Sequence, residues 1–122
     1  MPTDYRVLVC GGRDFNDAEK LVEKLDLLRE EHEAKGNRVV VIHGDAKGAD
    51  YLANSWAEFH KLKIKKFPAN WKKFGKAAGH IRNAQMLEES SPDVVVAFPG
   101  GRGTQNMIQQ AEKYGVPVIK IS

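Results

Sequence analysis

The sequence predicts an α/β fold, five parallel strands with helices layered on both faces, on three observations. Short apolar runs alternate with longer amphipathic segments along all 122 residues. The runs at 38–43 and 94–98 are apolar nearly throughout, as strands covered on both faces are. Glycines cluster directly after the first and fourth runs, where strands hand over to helices.

Each element follows from its local pattern. Tyr5 to Cys10 reads as the first strand. A helix from about Asp17 to Ala34 carries Leu21, Leu25 and Leu28 on one face, with Asn16 or Asp17 as its cap and Gly36-Asn37 as its stop. Arg38 to His43 is the second strand. A helix from about Gly48 to Lys61 is expected to bury Leu52, Ala53, Trp56 and Phe59. Leu62 to Phe67 alternates and is rich in lysine, which suits a sheet edge. Pro68 to Gly75 reads as an irregular loop, followed by a third helix over Lys76 to Ser90 that Ser91-Pro92 stops. Val94 to Phe98 is the fourth strand, Gly103 to Lys113 the fourth helix and Val116 to Ile121 the fifth strand. Strands alternating with helices make right-handed βαβ units, hence a Rossmann-like three-layer sandwich as a single domain over 1–122. With the lysine-rich strand outermost the expected order is 3-2-1-4-5. That order reverses between strands one and four, and ligands of such sheets sit at the reversal, beyond the carboxyl ends of the strands.

Composition narrows the function classes. Hydrophobic residues make up 42% and charged residues 29%, the balance of a water-soluble domain rather than a membrane span. Met1-Pro2-Thr3-Asp4 lacks a basic region followed by an apolar one, and Cys10 is the single cysteine, so a cytoplasmic setting without an intramolecular disulfide is expected. Cys10 ends an apolar strand and reads as a buried, inert thiol. The net charge of +3 favours anionic ligands. Lys61, Lys63, Lys65, Lys66, Lys72, Lys73 and Lys76 cluster around the third strand and its loop, with Trp71 and Phe74 interleaved. A solvated face is the first reading of that cluster, and single-strand nucleic-acid binding the lesser one. His32, His43, His60 and His80 are scattered without ligand spacing, so neither a metal nor another cofactor is expected.

Four segments carry candidate chemistry. After strand four, Phe98-Pro99-Gly100-Gly101-Arg102-Gly103-Thr104 sets a glycine-rich turn at a helix start, whose free N–H groups and positive dipole end attract phosphate or carboxylate. After strand one, Gly11 and Gly12 permit close approach of a ligand, and Arg13 offers a planar fork for phosphate. Asp14 can accept from a ribose hydroxyl, orient Arg13 or cap the helix. The spacing is not that of a dinucleotide fingerprint, because the third glycine is missing. After strand two, His43-Gly44-Asp45-Ala46-Lys47-Gly48-Ala49-Asp50 makes a second helix-start loop. Asp45 and Asp50 are its polar candidates, with helix capping as the alternative role. In the segment from Trp71 to Met86, Trp71 can stack on a base, while Arg82-Asn83 brings a cation and an amide together early in a helix.

Taken together, Gly-Gly-Arg-Asp-Phe at 11–15, His-Gly-Asp-Ala-Lys-Gly-Ala-Asp at 43–50, Arg82-Asn83 and Phe-Pro-Gly-Gly-Arg-Gly-Thr at 98–104 resemble the SLOG superfamily. More closely they resemble its YspA-type, cpYpsA-related branch, found in bacteria and phages, over about residues 5–121. The resemblance implies a Rossmann-like fold that binds nucleotides or nucleotide-derived ligands of the ADP-ribose kind. It also implies kinship with the LONELY GUY phosphoribohydrolases and with DNA-processing protein A. The Pro-Gly-Gly-x-Gly-Thr core at 99–104 matches the LONELY GUY phosphate loop. Those enzymes carry a catalytic glutamate three residues after the threonine, and here that position is Met107.

The leading expectation is therefore a nucleotide-binding sensor or sequestering module. Gly11, Gly12, Arg13, Gly44, Asp45, Asp50, Trp71, Arg82, Asn83, Gly100, Gly101, Gly103 and Thr104 would contact the ligand. The alternative is an N-glycosidic hydrolase of a nucleoside 5′-monophosphate, with Asp14, Asp50 or Arg82 in the catalytic role. A homodimer through helices flanking the sheet is implied by the relatives; a membrane partner is not expected.

Overall fold

The computed structural model describes residues 3–122; Met1 and Pro2, the start of the predicted 1–122 domain, lie outside the described residues. Five strands, β1 (Thr3–Cys10), β2 (Asn37–His43), β3 (Lys63–Lys66), β4 (Val94–Ala97) and β5 (Val118–Lys120), form one parallel sheet in the order β3-β2-β1-β4-β5. The order is the expected one. Between them run α1 (Ala18–Glu33), α2 (Ala49–Phe59), α3 (Trp71–Phe74), α4 (Ala78–Ser90) and α5 (Arg102–Lys113).

Strand alternation sorts the core into two layers. Val7 and Val9 of β1 join Val94, Val96 and Phe98 against α1 and α2, where Leu21, Leu25, Ala53 and Trp56 are buried. Leu8 and Cys10 join Val95 and Ala97 on the opposite face, against Met86 and Leu87 of α4 and Met107, Ile108 and Ala111 of α5. Apolar residues on both faces of β1 and β4 are what the near-continuous hydrophobic runs encode. The Asp17 side chain accepts from the Lys20 amide at 3.1 Å, so Asp17 is the cap of α1.

Local structure departs from the expected pattern at two places. The segment read as an irregular loop folds into α3 and a 3₁₀ turn, Gly75–Ala77, because the Asn70 side chain caps α3 by accepting from the Lys73 amide at 3.0 Å. Phe59, expected in the core, is 81% exposed. It stands two turns beyond Leu52, itself only half-buried, so both lie on the margin of the buried stripe rather than inside it.

The end of α2 is built like the end of α5. The amides of Gly115 and Val116 donate to the carbonyls of Glu112 and Ala111, and those of Lys61 and Leu62 to the carbonyls of Glu58 and Ala57. Both are Schellman closures, which place the residue after the cap in the left-handed region. Gly115 occupies it at φ +74 without strain, but Lys61 holds it at φ +56 with a Cβ. Lys61→Gly should stabilise the protein by about 0.5–1 kcal/mol through relief of that strain. A rise in the urea unfolding midpoint checks it; a fall would mean the Lys61 side chain contributes more than its backbone costs.

Candidate functional site

Three loops meet beyond the carboxyl ends of β1, β2 and β4, and the Gly12 peptide joins them. Its N–H donates to the carbonyl of Pro99 at 2.9 Å, and its carbonyl accepts from the amides of Phe15 and Ala49, each at 3.2 Å. Gly48 lies against it with φ +75; a Cβ there would strike the Gly12 carbonyl oxygen and fall 2.7 Å from the Arg13 carbonyl carbon. The β2–α2 loop can therefore close on the β1–α1 loop only with glycine at 48.

Between these loops and α4 opens a cavity of about 550 Å³, within the range that holds a nucleotide-sized ligand. Gly11, Gly12, Arg13, Asp50, Trp71, Arg82, Asn83, Gly101, Gly103 and Thr104 line it, all singled out from the sequence. Gly44, Asp45, Gly100 and Asp14 do not. Gly44 sits behind Arg82, Asp45 is exposed at φ +57, and Gly100 and Asp14 border a neighbouring cleft. Lys76, His80 and Arg102 line the cavity as well, without having been nominated. The spacing of 76, 79, 80, 83 and 86 on consecutive turns was the available signal for the α4 side, and Arg102 lies within the glycine-rich loop itself.

The charge is lopsided. Arg13, Lys76, Arg82 and Arg102 face a cavity whose lining holds a single carboxylate, Asp50. Asp50 is buried, and its Oδ2 accepts from the amides of Gly44 at 3.0 Å and Ala46 at 3.3 Å. Burial pushes its pKa up, opposed by His43, by Arg82 and by those two amides. His43 Nδ1 accepts from the Asp45 amide at 2.9 Å, so the proton sits on Nε2, which donates to Asn54 Oδ1 at 2.8 Å. That bonding makes His43 a support of the loop.

Arg82 is anchored before any ligand arrives. Its Nη1 donates to the carbonyl of Gly44 at 2.6 Å and its Nε to Asn83 Oδ1 at 3.1 Å. A Cβ at Gly44 would fall 2.6 Å from the guanidinium carbon, so glycine there makes the seat. Nη2 makes no hydrogen bond to protein among the described residues. Burial lowers the Arg82 pKa and Asp50 holds it up. Asn83, buried, spends its amide on the Gly103 carbonyl at 3.3 Å and Asn106 Oδ1 at 3.0 Å, so it fixes the first turn of α5 against α4. Arg13 lies over the Trp71 ring, 5.1 Å from its centroid, which occupies the face expected to stack on a base.

At the α5 end of the cavity the helix start is open. No side chain caps α5, and its first intrahelical bond is the Gln105 amide to the Gly101 carbonyl at 3.0 Å. The amides ahead of it have no partner within the helix. Thr104 lines the cavity, and its hydroxyl has no hydrogen-bond partner among the described residues.

The sequence model of the YspA, cpYpsA-related SLOG family matches residues 5–74. The gene 61 protein of Mycobacterium phage D29 is 37% identical over 121 residues, spanning 93% of this chain and 94% of that protein. The chain belongs to the YspA, cpYpsA-related SLOG family. The X-ray structure of TM1055 is similar with a TM-score of 0.68 at 19% identity, over 97% of this chain and 72% of that one, a likeness of fold. Among the described residues no helix is long and apolar enough to cross a membrane.

Within this SLOG domain, the position of Met107 is turned away from the cavity. It is fully buried in the core beneath β4 and lines no part of the cavity. Met107→Glu should lower stability by about 3 kcal/mol or more, because it puts an unpaired carboxylate into that core. Chemical denaturation measures it. An unchanged midpoint would show that the side chain at 107 swings into the cavity instead.

Proposed function

We propose that this protein binds a nucleotide or nucleotide-derived ligand in the cavity beyond β1, β2 and β4, as a sensor or sequestering module. The observation that carries the reading is the uncapped start of α5 with the Thr104 hydroxyl beside it, in a cavity with four cationic side chains and one carboxylate. In this reading the amides of Arg102, Gly103 and Thr104 and the Thr104 hydroxyl hold a phosphate. Arg13 and Arg82 Nη2 donate to its remaining oxygens, and the free oxygen of Asp50 accepts from a sugar hydroxyl. Membership of the SLOG family supports a nucleotide-related ligand.

The position of Asp50 favours a second reading, hydrolysis of an N-glycosidic bond. Its Oδ1 makes no hydrogen bond to protein among the described residues, and burial raises its pKa. In that reaction Asp50 takes a proton from water, the hydroxide oxygen bonds to C1′ of the ribosyl group, the N-glycosidic bond breaks with its electron pair going to the base nitrogen, and Asp50 returns the proton to the departing base.

A thermal-shift screen against nucleoside phosphates, ADP-ribose and NAD, with products separated by chromatography, tests both readings. A ligand at about 100 times its dissociation constant should stabilise by about 2.7 kcal/mol. Arg13→Ala should weaken the best ligand by about 1.5–3 kcal/mol in calorimetry. Ligand recovered intact supports the binding module, and free base whose release stops in Asp50→Asn supports the hydrolase. No shift with any compound contradicts the nucleotide reading.

A further inference from the structure

Arg13 stands on an exposed loop, and its side chain makes no hydrogen bond or ion pair to protein among the described residues. What it touches is Trp71, with the guanidinium carbon 5.1 Å from the ring centroid. Trp71 opens α3, and Asn70 pins that turn by accepting from the Lys73 amide at 3.0 Å. The far tip of the indole rests beside α4, since a Cβ built on Gly79 would stand 3.5 Å from Trp71 Cη2, an ordinary contact. The ring is therefore fixed at its backbone and at its tip, although Trp71 as a whole remains exposed.

Charge alone would not keep Arg13 there. The cavity lining holds four cations and a single carboxylate. Arg13 is also close enough to act on Arg82, whose pKa burial lowers, Asp50 raises and Arg13 lowers again. That repulsion, together with the rotamer freedom of an exposed arginine, favours a side chain turned out to solvent. The negative face of an indole opposes it by attracting the guanidinium. Stacking uses the face of the guanidinium plane and hydrogen bonds leave from its edge, so Arg13 can keep Trp71 and still donate to an oxyanion. We infer that Trp71 is a positioning residue for Arg13: its ring holds the guanidinium in the cavity against the repulsion of Arg82, with the edge free for the anion, instead of serving as a platform for a base. The inference rests on the proposed anion site and assigns the exposed indole its part in it.

Calorimetry at one ionic strength, with inorganic pyrophosphate, which has no base, and with ADP, tests it. The proteins are the wild type, Trp71→Ala, Trp71→Tyr, Arg13→Ala and the double variant Arg13→Ala/Trp71→Ala. Both positions are exposed, so the variants should fold; circular dichroism and the melting temperature check that. Trp71→Ala should weaken both probes by the same factor, about three- to tenfold, the size of one cation–π contact. Trp71→Tyr keeps a ring face and should stay within about twofold of the wild type. In the Arg13→Ala background, removing the ring should cost less than about twofold more, because its route to the anion is already gone. ADP weakened while pyrophosphate is unchanged means that the ring stacks on the base, and overturns the inference. Unchanged affinity for both probes, a tyrosine variant as weak as the alanine one, or a full further loss in the Arg13→Ala background overturns it too. Each of these leaves the nucleotide site standing, whereas a wild-type protein that binds neither probe defeats that site and this inference together.

Discussion

The Gly12 peptide is the constraint on which the arrangement depends. A parallel sheet that reverses its order leaves a gap between two neighbouring strand exits, and chain must cross it without stranding buried polar backbone. Here one residue ties the strand exits together, its N–H donating to Pro99 after β4 and its carbonyl accepting from Ala49 after β2. The loops after β1, β2 and β4 are thereby fixed relative to each other before any ligand is present. Their glycines are placed where loop meets loop, as Gly48 against Gly12 and Gly44 against Arg82 show.

The cavity is built from donors that the protein itself leaves partly unused. Arg82 is desolvated yet has only part of its donor set satisfied, the Thr104 hydroxyl has no partner among the described residues, and α5 starts without a side-chain cap. Asp50 offsets some of the positive charge, but two of its hydrogen bonds go to backbone amides of its own loop. Rigid donors of this kind bind without the reorganisation a flexible surface would need. The lysines of β3 and α3 are arranged differently: of the seven in that basic cluster only Lys76 reaches the cavity.

The sheet order, the cap of α1 and most of the cavity lining were legible in the sequence, because they follow from local patterns. Lysine alternation marked β3 as an edge, and glycines after two strands marked the reversal. What stayed hidden depends on exact helix phase and on cross-chain contacts. Phe59 missed the core by a fraction of a turn, and Asn70 closed a helical turn that composition disguised as loop. Asn83 lines the cavity and also bridges to a carbonyl and a side-chain amide of α5, a link which no local pattern reveals. Gly44 is outside the cavity lining and yet shapes it through Arg82, a role visible only once both are placed.

The central claim is that anions bind where β1 and β4 give way to their helices. Amide chemical-shift mapping during titration with ADP tests it residue by residue. The account predicts the largest, saturable shifts at Gly11, Gly12, Arg13 and Gly101 through Thr104, with the Arg82 side-chain Nε–H following at the same concentration. Shifts confined to the lysines of β3 and α3, without saturation and abolished by salt, would contradict it.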